Sequence, residues 1–246
     1  MTSKIDLRLG DCLEVMKTIP DGSVDAIICD LPYGTTNCKW DSVIDLPKLW
    51  IQYNRIIKPN GAIVLTAQTP FDKVLGCSNL SMLKYEWIWE KTQATGHLNA
   101  KKMPMKAHEN ILVFYKKLPT NNPQKTKGHK PINSYTKYVE TQNNTEIYGK
   151  MKQEMSGGGE TDRYPRSVIT FSSDKQKSKL HSTQKPLALM EYLIKTYTNE
   201  GETVLDFTVG SGSTLVACQN TNRNGIGIEQ DDKYFEIAKQ RIGIVD

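Results

Sequence analysis

Two short clusters in this 246-residue chain carry residue types that could do chemistry, and each follows an apolar run. The first is Asp30-Leu31-Pro32-Tyr33, after the run Val24 to Cys29. An aromatic amine is a poor nucleophile because its lone pair is delocalised into the ring; acceptors around its N–H groups localise that pair on nitrogen. The Asp30 carboxylate is one such acceptor. The main-chain carbonyl of Leu31, held in an extended direction by Pro32, can be another. Tyr33 offers a flat face for stacking a base drawn out of a duplex. In isolation the same tetrapeptide also reads as a plain strand-ending turn, so its weight depends on context.

The second cluster is Val204-Leu205-Asp206-Phe207-Thr208-Val209-Gly210-Ser211-Gly212-Ser213-Thr214. It reads as a buried strand, a turn that only small residues can make, and a helix start that exposes backbone N–H groups and the positive end of a helix dipole. A tight strand-to-helix connection without a ligand would look similar. About twenty residues further on, Gly225-Ile226-Gly227-Ile228-Glu229 ends a second strand in an acid, the arrangement that sets a carboxylate against ribose hydroxyls. No lysine follows Gly212, which disfavours a triphosphate loop, and Leu215 stands where a dinucleotide fingerprint needs its third glycine. An adenosine cofactor with a carboxylate in place of pyrophosphate fits better. S-adenosylmethionine is such a molecule.

The elements that must carry these clusters alternate. Ile5 to Leu9 reads as a strand ending at Gly10-Asp11, and Cys12 to Ile19 as a helix with Leu13 and Met16 on one face, stopped by Pro20-Asp21-Gly22. A helix over Leu46 to Ile57, a strand at Ala62 to Thr66 and a helix from Pro70-Phe71 follow. Tyr85 to Trp89 and Ile111 to Tyr115 read as strands joined by a long polar loop, Thr92 to His108. Helices at Pro186 to Tyr197, Thr214 to Thr221 and Asp231 to Ile242, with strands at Thr203 to Phe207 and Gly225 to Glu229, complete the pattern. Such alternation favours a parallel sheet covered on both faces.

Between Lys116 and Leu180 the composition shifts to Asn, Gln, Thr, Lys and Gly, with 13 Lys and Arg against 6 Asp and Glu, while the whole chain carries +5. The positive charge is therefore local, as a polyanionic partner requires, although a solvated insertion would also show it. Apolar stretches are far shorter than the roughly 20 residues of a membrane span, and MTSKIDLRLGD has no apolar signal region, so a cytoplasmic location without membrane contact is expected. Cys12, Cys29, Cys38, Cys77 and Cys218 lack metal or disulfide spacing and are expected to be buried and reduced. His97, His108, His129 and His181 likewise show no metal spacing, and no metal is expected.

In the order of its motifs the chain resembles the β-type amino methyltransferases of DNA, whose catalytic motif is D-P-P-Y or a close variant. Asp30 to Tyr33 comes first, then the basic insertion, then His181-Ser182-Thr183-Gln184-Lys185-Pro186, and the glycine turn last. The resemblance covers roughly Ile5 to Tyr115 and His181 to Ile242 but not the insertion. It implies a Rossmann-like, doubly wound, seven-stranded α/β sheet, circularly permuted so that the strand at Ile5 neighbours the strand at Gly225. Residues 1–116 would form the catalytic half, 117–180 a target-recognition insertion, and 181–246 the cofactor half. Asp206 and the turn Thr208, Gly210, Ser211, Gly212, Ser213, Thr214 would hold the methionine part of S-adenosylmethionine, with Thr183 and Lys185 near its carboxylate. Glu229 would take the ribose and Asp11, with Cys12, would lie near the adenine, while Asp30 and Phe207 would also border the cofactor. The family's D-P-F-x-G-S-G is Asp206-Phe207-Thr208-Val209-Gly210-Ser211-Gly212 here, so the aromatic is displaced by one position and the side chain that packs on the cofactor stays open. Leu31 for proline matters less, because that position contributes a carbonyl.

The implied activity is N6 methylation of adenine in duplex DNA with base flipping. N4 methylation of cytosine and a non-catalytic DNA-binding module are the alternatives. Within the family, Asp at the first motif position leans towards adenine. Lys101, Lys102, Lys106, Lys127, Lys130, Arg163 and Arg166 are candidates for contacts to double-stranded DNA, the two arginines for phosphate or guanine. Tyr135, Tyr138, Tyr148, Tyr164 and Phe171 are expected mainly to pack an insertion core. The recognition sequence is not legible, and homodimer assembly stays open.

Overall fold

The computed structural model describes residues 3–34, 42–131, 135–137, 155–172 and 184–244. The chain forms two compact units, Met1–Asn122 with Arg166–Asp246, and Pro123–Pro165.

Ten strands follow one another among the described residues. They are β1 (Ile5–Leu9), β2 (Val24–Asp30), β3 (Ile57–Ala67), β4 (Leu83–Thr95), β5 (Lys106–Phe114), β6 (Tyr135–Lys137), β7 (Met155–Gly157), β8 (Val168–Phe171), β9 (Thr203–Asp206) and β10 (Asn224–Glu229). Eight of them build the sheet of the larger unit, in the order β1-β10-β9-β2-β3-β5-β4-β8. β1, β10, β9, β2 and β3 run parallel, whereas β5 is antiparallel to both β3 and β4. Ile5 pairs with Gly225, which is the permuted neighbourhood expected from the sequence. Helices α1 (Cys12–Val15), α2 (Leu46–Ile56) and α3 (Phe71–Ser78) precede β2, β3 and β4, and α4 (Leu187–Tyr197), α5 (Ser213–Asn220) and α6 (Asp232–Arg241) alternate with the last two strands.

β2 explains why a continuous apolar run belongs in such a sheet. Ile27 and Cys29 join one core with Met16, Tyr53, Leu65 and Phe207. Ala26 and Ile28 join the other, with Trp87, Leu193, Tyr197 and Val204. A strand buried on both faces has no polar side to alternate with. Close packing also dictates composition: a Cβ on Gly227 would lie 2.6 Å from Leu215 Cδ1 and 2.8 Å from Val209 Cγ2, so β10 needs glycine where α5 and the turn before it pack on it.

Several features differ from the sequence reading. The sheet has eight strands rather than seven, because Val168–Phe171 pairs in parallel with Ile88–Lys91 although its surroundings look like insertion. Phe171 therefore packs on Tyr192 of α4, not in an insertion core, and Tyr164 is exposed beneath the Lys125 ammonium. The polar loop between β4 and β5 is shorter than Thr92 to His108, since cross-strand pairing extends to Thr95 and Lys106. Polar residues can form strands when one face meets solvent. Cys77 is exposed on α3, whereas Cys12, Cys29 and Cys218 are buried; Cys38 and His181 lie outside the described residues.

In the smaller unit β6 and β7 form a two-stranded antiparallel ribbon, accompanied by a bridge between Thr126 and Arg163. Tyr138 and Tyr148 fall outside the described residues. No helix among the described residues is long and apolar enough to cross a membrane.

Candidate active site

Parallel strands deliver their carboxyl ends to one edge, and four neighbouring strands end there in an acid or lead directly into one. β1 leads to Asp11, β10 ends at Glu229, β9 at Asp206 and β2 at Asp30. All four border a single cavity of about 460 Å³ that also takes in the glycine turn and the inner ends of β4 and β5. A volume of that size suits a small-molecule cofactor.

At the β1–β10 end, Asp11 caps α1 by accepting from the Leu13 and Glu14 amides, and Cys12 is buried beside it. Burial, then the Asp11 charge, push the Cys12 thiol up to about 12, so it acts as a neutral packing group. Glu229 is fixed by amides of Gly210 at 2.7 Å and of Gln230 and Asp231 at 2.9 Å. Burial raises its pKa and these amides oppose the rise.

In the middle, the turn passes through Gly210 and Gly212 in left-handed conformation (φ 54° and 84°), and a Cβ on Gly212 would meet Ala238 of α6 at 3.2 Å. Only glycine makes this approach without strain. Asp206 is buried and accepts from the Thr208 amide at 3.1 Å. Burial is the main influence on it and lifts its carboxyl to about 6, against hydrogen bonds from Thr214, Cys29 and the Thr208 amide, with the Asp30 charge adding to the rise. Ser211, Ser213 and Thr214 line the cavity beside it.

The displaced aromatic has a physical resolution. Phe207 turns its ring into the core against Tyr53, with centroids 5.3 Å apart, so its ring packs the fold while its residue still borders the cavity. Thr208, in the position of the family aromatic, donates its hydroxyl to the Asp30 carbonyl at 2.8 Å and ties the turn to the end of β2.

At the catalytic end, the Asp30 carboxylate is held by three donors. Its Oδ1 accepts from the Tyr33 hydroxyl at 2.6 Å and from Thr66, and its Oδ2 meets Lys185 Nζ at 2.6 Å. The side chain keeps 24% exposure, an edge open to the cavity. Leu31 is buried, and Pro32 and Tyr33 border the cavity. The Tyr33 ring stacks on Phe71 at 5.7 Å with 29° between planes. Lys185 thus stands on Asp30 and also on Glu109, at 3.1 Å, while it borders the cavity. Thr183 lies outside the described residues.

Several cavity residues escaped the sequence reading. Glu109 opens the apolar stretch of β5 and pairs opposite Trp89, which brings it to Lys91 of β4. Gln68, Gln93, Thr95 and Tyr234 also line the space. Gln184 is buried against it with an Oε1 that has no hydrogen-bond partner among the described residues. The one available signal was a charged residue at the mouth of a buried strand, as at Glu109.

The candidate DNA contacts are shared between the two units. Lys101 and Lys102 are exposed in the turn between β4 and β5, and Lys106 Nζ donates to Gln68 Oε1 at 3.3 Å, beside the cavity. Arg166 is exposed on the larger unit. In the smaller unit Lys127 and Lys130 are exposed, while the Arg163 guanidinium donates to carbonyls of Glu160, Asp162 and Lys130 and so braces its own unit.

Comparison with known proteins agrees with this geometry. The model of the N6/N4 methyltransferase family, described as DNA methylase, matches residues 24–240. The type II methyltransferase M.HpaI of Haemophilus parainfluenzae is 31% identical over 255 aligned positions, covering 97% of this chain and 74% of that protein. M.HinfI of Haemophilus influenzae is 26% identical, covering 95% and 67%. Among solved structures, the M1.HpyAVI–SAM complex superposes with a TM-score of 0.66 at 26% identity, over 98% of this chain and all of that one. PvuII DNA methyltransferase, cytosine-N4-specific, shares the fold at 15% identity with a TM-score of 0.68, over 100% of this chain and 88% of that one. With its acid-tipped parallel strands, its glycine turn and a family match that runs from β2 to α6, the chain belongs to the N6/N4 DNA methylase family.

Proposed function

We propose that the protein transfers a methyl group from S-adenosylmethionine to N6 of adenine in double-stranded DNA, acting on a base flipped into the cavity. The observation that carries the reading is the Asp30 carboxylate, fixed by Tyr33, Thr66 and Lys185 with one edge on a cavity that Asp206 and Glu229 also border.

The cavity fits the cofactor. Gln184 Oε1, without a hydrogen-bond partner among the described residues, and the buried Asp206 are acceptors for the methionine ammonium, and the turn from Thr208 to Thr214 presents small residues and a helix start. Glu229 retains acceptor capacity for ribose hydroxyls, and Asp11 and Cys12 line the adenine end. When bound, S-adenosylmethionine supplies an electrophilic methyl group on a sulfonium.

The chain's own contribution is acceptor geometry. Asp30 and the Leu31 carbonyl take the N–H bonds of the target amine and localise its lone pair. As positive charge grows on that nitrogen, both acceptors bind it more strongly than in the ground state, and this difference lowers the barrier. Tyr33 supplies a stacking face beside them. Asp at the first motif position supports adenine. Cytosine N4 is the second reading, since it offers an amine to the same acceptors and PvuII methyltransferase, of the same fold, is cytosine-N4-specific. A cytoplasmic location belongs to the same reading.

Incubation with labelled S-adenosylmethionine and mixed-sequence duplex DNA, followed by digestion to nucleosides, tests the reading. Label in N6-methyladenine is expected; label in N4-methylcytosine would replace adenine by cytosine, and unlabelled DNA would leave the non-catalytic module. Asp30→Ala is expected to abolish transfer and to keep cofactor binding.

A further inference from the structure

The acceptors described above leave Lys91 and Glu109, whose side chains are buried in the cavity wall, without a role. Lys91 Nζ lies 2.5 Å from Glu109 Oε1, Glu109 Oε2 lies 3.1 Å from Lys185 Nζ, and Lys185 Nζ lies 2.6 Å from Asp30 Oδ2. The line of alternating charge runs from β4 through β5 to the loop before α4 and ends on the catalytic carboxylate. The side chains of Lys91, Glu109 and Lys185 are 7% to 8% exposed.

Buried charges persist when they are paired and hydrogen-bonded, and removing one partner strands the other. Two ammonium groups and two carboxylates cancel here. Lys185 is faced by Asp30 and Tyr33 from the end of β2 and by Glu109 from β5, with Lys91 beyond Glu109 and Asp206 on the same cavity. Burial works against its charge, but Asp30 and then Glu109 outweigh burial and hold its pKa above the ordinary lysine value. The two lysines hold the Glu109 carboxyl below its ordinary value although burial, the largest influence, acts to raise it. Methyl transfer places growing positive charge beside Asp30. An uncompensated ammonium there opposes it, and a carboxylate free to rotate loses its aim.

We propose that Glu109 is a positioning residue for methyl transfer, which holds the Lys185 ammonium against Asp30 and cancels the buried charge of Lys91. Glu109 acts through Lys185, so that Asp30 meets the target amine in one orientation within neutral surroundings. The assignment rests on the methyltransferase reading of the site.

Single-turnover transfer to duplex DNA at saturating labelled S-adenosylmethionine, measured from pH 6 to pH 10 on the full chain, tests it. With Glu109→Gln the rate is expected to fall about 10- to 100-fold, as for a misaimed catalytic group, while cofactor affinity by calorimetry stays within about twofold, the acceptors for the cofactor being untouched. The alkaline limb should move to lower pH, because Asp30 then opposes burial without Glu109. Glu109→Asp should restore much of the wild-type profile. Should Glu109→Gln fail to fold, the charge-neutral pair Lys91→Met with Glu109→Gln removes both partners and should keep the shifted limb. Wild-type rate and pH profile in either variant overturn the proposal, as does a loss confined to cofactor affinity. Wild-type protein that labels no DNA overturns the methyltransferase reading instead.

Discussion

Replacing Asp206 by Asn separates the cofactor role of this carboxylate from its effect on folding. Burial holds the folded-state pKa at about 6, against an ordinary value of 3.8. The folded protein therefore keeps the proton more tightly than the unfolded chain, and folding takes one up between about pH 4 and pH 6. Stability contributed by this group is highest below the ordinary value, falls as pH rises through that window, and stays low above it. A shift of about two units corresponds to roughly 3 kcal/mol at pH 8, and about half of that is expressed at pH 5. Asn keeps an Oδ1 for the Thr208 amide at 3.1 Å but has no charge to bury. Asp206→Asn without cofactor should therefore melt above wild type at pH 8 by about 6–12 °C, at the usual 2–4 °C per kcal/mol for this size. The gap should narrow towards pH 5. S-adenosylmethionine at 100 times its Kd stabilises wild type by about 2.7 kcal/mol, and the variant should lose nearly all of that gain. Thermal unfolding from pH 5 to pH 8, with and without cofactor, reads both effects. A variant less stable than wild type at pH 8, or a gap that ignores pH, would refute the assignment of a desolvated carboxylate to this site.

Two other perturbations bear on catalysis and on DNA. Tyr33→Phe keeps the ring against Phe71 and removes one of the three donors on Asp30, so kcat in steady-state transfer should drop by about 10- to 100-fold, the worth of one charge-assisted bond. Tyr33→Ala, which also removes the stacking face, should cost substantially more. Lys101→Ala with Lys102→Ala should weaken binding equally across sequences and reduce the slope of log K against log salt by about 1 for each phosphate that the two ammonium groups neutralise. An unchanged slope in filter binding from 50 to 200 mM salt would remove the turn between β4 and β5 from the interface.

Much of the fold could be read from local pattern. The Val24 to Cys29 run, the glycine turn and the Gly225 to Glu229 strand each announce themselves within a dozen residues, because a strand buried on both faces is apolar throughout and a left-handed turn selects glycine. The placement of β1 beside β10 came from motif order, which a single segment does not contain. The eighth strand was hidden because Val168–Phe171 is four residues long and only partly buried, in a stretch whose composition resembles the insertion. The place of Phe207 was hidden too: a one-residue displacement of an aromatic is neutral in sequence, and only the core around Tyr53 decides which way the ring turns.

The same division runs through the site. Asp11, Asp30, Asp206 and Glu229 were legible because each stands at or just beyond a strand end, and parallel pairing brings those ends to one edge. Lys91 and Glu109 were not, and Lys185 was read from its motif but not as the partner of Asp30. Lys91 meets Glu109 through the antiparallel register that sets Trp89 opposite Glu109, and Lys185 reaches Asp30 across 155 positions of chain. Sequence by itself determined which carboxylates at the ends of the parallel strands face the cavity, since strand direction follows from connectivity. Tertiary structure decided which cations hold them, because a long side chain takes its partner from whichever strand the register puts within reach.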